Sequence, residues 1–131
     1  MTKYTFEHIH LLSEDPEATA AFYQKMFDAE IIRSKMPDGG PRIDIKLGGM
    51  DVFILPVKSG DAAVGGAPAH PHRGLDHIGL RLSDLDKAMA ELKSKGANFT
   101  RGPITVRPDL RVAFMTGPDN VSIEILDRDA K

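Results

Sequence analysis

His8-Ile9-His10-Leu11-Leu12-Ser13-Glu14-Asp15 opens the first apolar stretch of the chain, and His77-Ile78-Gly79-Leu80-Arg81-Leu82-Ser83-Asp84 opens a second. Both read His, Ile, any residue, Leu, and both reach Asp seven positions after the His. A phrase written twice in one small chain points to an internal repeat, and a repeat decides the fold before any single element does.

Reading outward from each copy gives the same order of elements. In the first half, residues 4–13 alternate apolar and polar, which predicts a strand. Asp15-Pro16-Glu17 then supplies a capping side chain, a proline at the first helical position and an acid near the positive helix end. The helix is expected to run to about Phe27. Strands are expected over Glu30–Lys35, Arg42–Leu47 and Asp51–Leu55, separated by turns at Pro37-Asp38-Gly39-Gly40 and Gly48-Gly49. In the second half a strand is expected over Leu75–Leu82, and a helix from Ser83–Asp86 to a left-handed cap near Gly96. Strands near Asn98–Ile104, Arg111–Thr116 and Val121–Leu126 follow, with Pro118-Asp119-Asn120 as the last turn. Each half therefore reads β-α-β-β-β.

Pro56 to Gly74, rich in Gly, Ala and Pro, has no apolar periodicity and reads as a long, mobile connection, a segment type that is often functional or disordered. The expected organisation is a single domain with one module over about residues 1–56, a linker over about 57–73 and a second module over about 74–131. The fold class is α+β: two βαβββ modules forming a half-open, mostly antiparallel β-barrel with helices outside.

Composition narrows the function. A chain of 131 residues can bury a core. A net charge of −2 gives no electrostatic reason to bind nucleic acid or an anionic membrane. The sequence holds no apolar run of membrane-spanning length and no signal-peptide core, so a cytoplasmic setting is expected. Zero cysteines exclude thiolate ligands and nucleophiles. The nucleophile elbow, the phosphate loop, the His-Glu-x-x-His helix and the dinucleotide fingerprint are all missing from the sequence.

Side-chain alternation sorts the remaining candidates. His8, His10 and Leu12 share one face of their strand; Ile9 and Leu11 share the other. His77, Gly79 and Arg81 share a face opposite Ile78, Leu80 and Leu82. If the isoleucines flanking Glu124 pack under helices, Glu124 points the same way as the histidines. Two imidazoles and a carboxylate suit a divalent transition ion with positions left for water or substrate. A hydrogen-bonded structural role is the plainer reading of any one strand histidine. His10 lies one step deeper than His8 and is a candidate general base, an orienting group or a polar wall residue. Arg81 is a candidate for binding a substrate carboxylate or phosphate, against a salt bridge to Asp44 or another acid. Arg42, Asp44 and Lys46 share a face and read as solvated, and Arg111 is open in the same way. His70 and His72 either close over a substrate or sit solvated on the linker.

These phrases resemble the vicinal-oxygen-chelate superfamily of glyoxalases, methylmalonyl-CoA epimerases, extradiol dioxygenases, fosfomycin-resistance transferases and bleomycin-binding proteins. The resemblance covers nearly the whole chain. It is carried by His8 with Asp15, by Phe22-Tyr23, by Gly74-Leu75-Asp76-His77-Ile78-Gly79 with Asp84, and by Gly117-Pro118-Asp119-Asn120-Val121-Ser122-Ile123-Glu124. Asp28 sits where a glycine is common. The resemblance implies that His8, His77 and Glu124 are metal ligands for zinc, manganese, iron, nickel or cobalt. It implies a small-molecule substrate and a homodimer, with modules paired within one chain or between two. Glyoxalases and epimerases usually add a Glu or Gln ligand from the strand before the linker. Counting back from Pro56 puts Val52 there, which cannot bind a metal; neighbouring Asp51 would face the other way unless a bulge intervenes.

The leading expectation is a metal-dependent glyoxalase-like lyase or isomerase acting on a small oxygen-bearing substrate. An Fe(II) extradiol-type dioxygenase is the alternative that a three-ligand set favours, with a thiol-to-epoxide transferase third. A metal-free binding protein of the bleomycin-resistance type is the other class. It wants an aromatic-lined groove, and the chain has no Trp, two Tyr and six Phe.

Overall fold

Asp15 and Asp84 each turn the chain from a strand into a helix. In the computed structural model, which describes residues 1–57 and 65–130, the Asp15 carboxylate accepts from the Ala18 amide at 3.1 Å. The Asp84 carboxylate accepts from the Lys87 amide at 3.2 Å. Each satisfies a donor that the first helical turn leaves over.

Around these corners lie β1 (His8–Ser13), α1 (Pro16–Phe27), β2 (Glu30–Lys35), β3 (Pro41–Leu47) and β4 (Met50–Pro56). Then come β5 (His77–Leu82), α2 (Leu85–Ser94), β6 (Asn98–Arg107), β7 (Leu110–Thr116) and β8 (Ser122–Asp127), with a single 3₁₀ turn at Pro118–Asn120. The order is β-α-β-β-β twice, as the repeated phrase predicts. β1 and β5 begin at their histidines rather than earlier, because the exposed residues before them pair with no strand. Residues 58–64, the middle of the expected linker, lie outside the described residues.

The described residues divide into two compact units, one from each module. Each holds one four-stranded sheet, ordered β1-β4-β3-β2 in the first and β5-β8-β7-β6 in the second. In both, the first and last strands of the module pair parallel and the other two pairings are antiparallel. Neither sheet closes on itself, so each keeps two edges. The fold class is α+β.

One face of each sheet is covered by the module's own helix. In the first unit Ile43, Ile45, Val52 and Ile54 are buried with Ala20, Tyr23 and Met26 of α1. In the second, Ala113, Met115, Ile123 and Ile125 are buried with Leu85, Met89 and Leu92 of α2. Fully burying one such aliphatic side chain contributes about 1.5–3 kcal/mol. Both helices are also tied to their sheets by forked ion pairs. Glu17 in the first turn of α1 accepts from both terminal nitrogens of Arg33 at 2.7 and 3.1 Å. Asp86 in the first turn of α2 accepts from Arg111 at 2.9 and 3.2 Å, which settles where that arginine goes.

Helix α1 ends on Asp28 at φ 56°, a left-handed conformation that short polar side chains tolerate and that glycine commonly fills. In the second unit β6 runs out of register with β7 at three places. Gly102 sits in one of them at φ 100°, with an added Cβ only 2.8 Å from Ala113 Cα and from the Val112 carbonyl oxygen. The bulge needs the close approach that only glycine permits.

Candidate metal centre

The helix covers the isoleucine face of each sheet, so the opposite face carries the polar candidates. In the second unit this face shows two rows across the strands. His77 pairs with Ser122 and Ser122 with Thr116; Gly79 pairs with Glu124, Glu124 with Phe114, and Phe114 with Arg101. His77 and Glu124 therefore lie on one face in adjacent rows. His77 Nε2 is 3.7 Å from Glu124 Oε1. A Cβ placed on Gly79 would lie 3.6 Å from that same oxygen, so the missing side chain leaves room for the carboxylate.

The other imidazole nitrogen of His77 is taken. Nδ1 lies 2.9 Å from Asp76 Oδ2, a distance at which Nδ1–H donates. The proton is then on Nδ1, and Nε2 turns its lone pair toward Glu124. A lone pair and a carboxylate oxygen facing each other at this distance fit a cation between them, so the donor set suits a divalent metal. Asp76 is the acid of this arrangement: the His77 bond, then the His72 amide and His70, hold its carboxyl down to about 2.

The first unit repeats the device. His8 Nδ1 lies 2.9 and 3.1 Å from the two carboxylate oxygens of Glu7. In both modules the residue just before the histidine fixes its tautomer and leaves Nε2 free. Reading the sequence for ligands alone misses Glu7 and Asp76, although the signal is there as acid-His-Ile in each copy.

Strand register corrects the assignment of Val52 to the missing fourth ligand. Val52 pairs with Ile9 and Ile45 and is buried in the helix-covered core. His8 pairs with Asp51 and His10 with Phe53 in the parallel β1–β4 ladder. His77 pairs with Ser122 and Gly79 with Glu124 in the parallel β5–β8 ladder. The position matching Glu124 is therefore Phe53, and a phenyl ring stands where the other module has its carboxylate. That ring stacks on His8 at 4.2 Å between centroids and carries the Arg42 guanidinium at 4.9 Å on its face. Asp51 does share the His8 face, without any bulge in β4, and its carboxylate lies 3.6 Å from Lys46. Counting back from a proline lands one residue short because proline marks the strand end and not its pairing.

His10 occupies the place of Gly79, across from Phe53, exposed and without a hydrogen bond or ion pair among the described residues. Arg81 shares the His77 face but is largely exposed and reaches Asp129 at 3.2 Å. Its partner acid is Asp129 rather than Asp44. Asp44 is buried and occupied: it accepts from Arg42 Nε at 2.7 Å and from the Ile54 amide at 3.0 Å. His70 is not a freely solvated linker residue, since its Nε2 lies 2.6 Å from the Asn120 carbonyl oxygen. The Asn120 side chain in turn donates to the Pro68 carbonyl at 2.6 Å. Among the described residues no helix is long and apolar enough to cross a membrane.

Comparison with known proteins agrees with this geometry. Among curated proteins the chain is 29% identical to Glyoxalase I of Saccharomyces cerevisiae over 91% of its own length, spanning 43% of that protein. It is 27% identical to the uncharacterized protein YwkD of Bacillus subtilis, covering 95% of this chain and 97% of that one. Among solved structures it superposes on a glyoxalase family protein from Enterococcus faecalis with a TM-score of 0.73 at 19% identity, covering 94% and 97% of the two chains. It also superposes on the fosfomycin resistance protein FosX from Listeria monocytogenes with a TM-score of 0.71 at 21% identity, covering 95% and 91%. A family model matches residues 5–125, nearly the whole chain: the protein belongs to the Glyoxalase/Bleomycin resistance protein/Dioxygenase superfamily.

Proposed function

We propose that the chain is a metal-dependent, glyoxalase-like lyase or isomerase, with His8, His77 and Glu124 as the ligands of a divalent ion. The observation that carries this reading is the pair of acid-held imidazoles. Glu7 and Asp76 each bind Nδ1 of the following histidine and leave Nε2 as the ligand atom. Carboxylate–imidazole pairs of this kind orient ligands and raise their basicity.

When bound, such an ion polarises neighbouring substrate oxygens and stabilises the negative charge that develops there. The residues of the chain do the rest. His10, on the His8 face and free of protein partners, takes or returns a proton at a substrate carbon. Arg81 exchanges Asp129 for an anionic group of the substrate. A related structure supports a substrate with adjacent oxygens and an acidic group: FosX was solved with Mn(II) and 1S,2S-dihydroxypropylphosphonic acid.

Phe53 favours a second reading. A phenyl ring at the position that matches Glu124 limits the protein to three ligands, which suits an Fe(II) ring-cleaving dioxygenase. The substrate is in either case a small molecule, and the working form is taken to be a homodimer.

The test is metal content, by elemental mass spectrometry, of protein purified without chelators and without oxygen. Bound zinc, nickel, cobalt or manganese that is lost in His8→Ala and in Glu124→Gln supports the lyase or isomerase. Iron lost in the same variants moves the assignment to the dioxygenase. Metal content unchanged in both variants overturns the ligand set.

A further inference from the structure

His70, His72 and Asp76 converge where the linker enters β5, outside the ligand set above. One ligand-capable atom from each lies within 4.8 Å of the others. The hydrogen bonds around them decide what those atoms are. His70 Nε2, 2.6 Å from the Asn120 carbonyl oxygen, must donate. Its Nδ1 is then a lone pair, yet it faces Asp76 Oδ1 at 3.5 Å. His72 Nδ1, 3.1 Å from the Arg73 carbonyl oxygen, must donate too, and leaves Nε2 unprotonated. Asp76 Oδ2 is taken by His77, whereas Oδ1 accepts only the His72 amide, at 3.2 Å. Two imidazole lone pairs and a carboxylate oxygen thus point at one place with no donor between them. The two rings sit 4.9 Å apart. Asn120 and Arg73 supply the carbonyl partners that orient metal-binding histidines elsewhere. Beside the cluster a cavity of about 450 Å³, lined by His70, Asp76, Arg101 and Phe114, gives an ion a route in.

We propose that His70, His72 and Asp76 form a second divalent-cation site. Two imidazoles and one carboxylate select a borderline transition ion such as zinc, cobalt or nickel over calcium or magnesium. The site stands on its own three ligands. Only its link to His77, through the other oxygen of Asp76, rests on the function proposed above.

The test uses the full chain stripped of metal and titrated with Zn(II) alone, with stoichiometry read by calorimetry and elemental mass spectrometry. The wild type is expected to bind one more equivalent than His70→Ala/His72→Ala. It should also bind one more than His70→Gln/His72→Gln, in which an amide keeps the hydrogen bond to Asn120. His8→Ala should keep that equivalent. If the wild type binds a single zinc that both double variants lose and His8→Ala retains, this site is upheld and the His8 assignment fails. Equal stoichiometry in the wild type and both double variants overturns the second site, as does a single zinc lost only in His8→Ala.

Discussion

Asp76 Oδ2 accepts a hydrogen bond from Nδ1 of His77, its neighbour in sequence, at 2.9 Å. Glu7 does the same for His8. An acid placed one residue before a ligand needs no long-range packing to find it, so the orientation of the imidazole is encoded locally.

Asp76→Asn and Glu7→Gln should therefore weaken metal binding about 10–100-fold while leaving the fold intact. Competition titration against a metal indicator checks this. Unchanged affinity with an unchanged circular dichroism spectrum would show that these acids do not orient ligands.

Phe53 and its neighbour Val52 make a paired test of strand register. Phe53→Glu puts a carboxylate on the His8 face, at the position that Glu124 holds in the second module. It is expected to tighten metal binding and keep the fold. Val52→Glu buries an unpaired carboxyl between Ile9 and Ile45 and is expected to unfold the protein or to destabilise it by several kcal/mol. Denaturant unfolding separates the two; the reverse order would mean that the register of β4 is wrong.

Gly102→Ala should destabilise by about 2 kcal/mol or more, from left-handed strain together with backbone collision. Gly49→Ala, at φ 89° with open space around it, should cost only the strain, about 1 kcal/mol. A smaller loss at Gly102 than at Gly49, by thermal unfolding, would remove the collision.

Glu17 and Asp86 carry a pH dependence. The hydrogen bond from Arg33 lowers the Glu17 carboxyl below its ordinary value, and that from Arg111 lowers Asp86. A carboxyl depressed on folding stabilises fully above its unfolded pKa and loses that contribution as pH falls through the folded value. Glu17→Gln and Asp86→Asn should therefore shift the urea midpoint at pH 7, with the shift vanishing in strong acid and shrinking in salt. A shift that persists in acid would assign the effect to packing.

The element order was legible because its signals are local. Asp15-Pro16-Glu17, the glycine turns and the alternation in Arg42–Leu47 all act within a few residues of themselves. The faces of His8, His77 and Glu124 followed from pleat alone. Register was less legible, since pairing across strands is set by contacts distant in sequence, and a step of one residue exchanges Val52 for Phe53. Arg81, Arg111 and His70 were ambiguous for the same reason: Asp129, Asp86 and Asn120 are remote in the chain. Glu7 and Asp76 were legible and overlooked, because the search was for ligands and not for what holds them.

The stack of Phe53 on His8 gives this protein a spectroscopic handle. A phenyl ring 4.2 Å from an imidazole lies close enough for its ring current to shield the imidazole carbon-bound protons. Of the five histidines, His8 should then resonate upfield of His10, which lies beside the ring across the ladder, and of the three in the second unit. That one line would report the state of the first module separately from the second, without a label and without any tryptophan to excite.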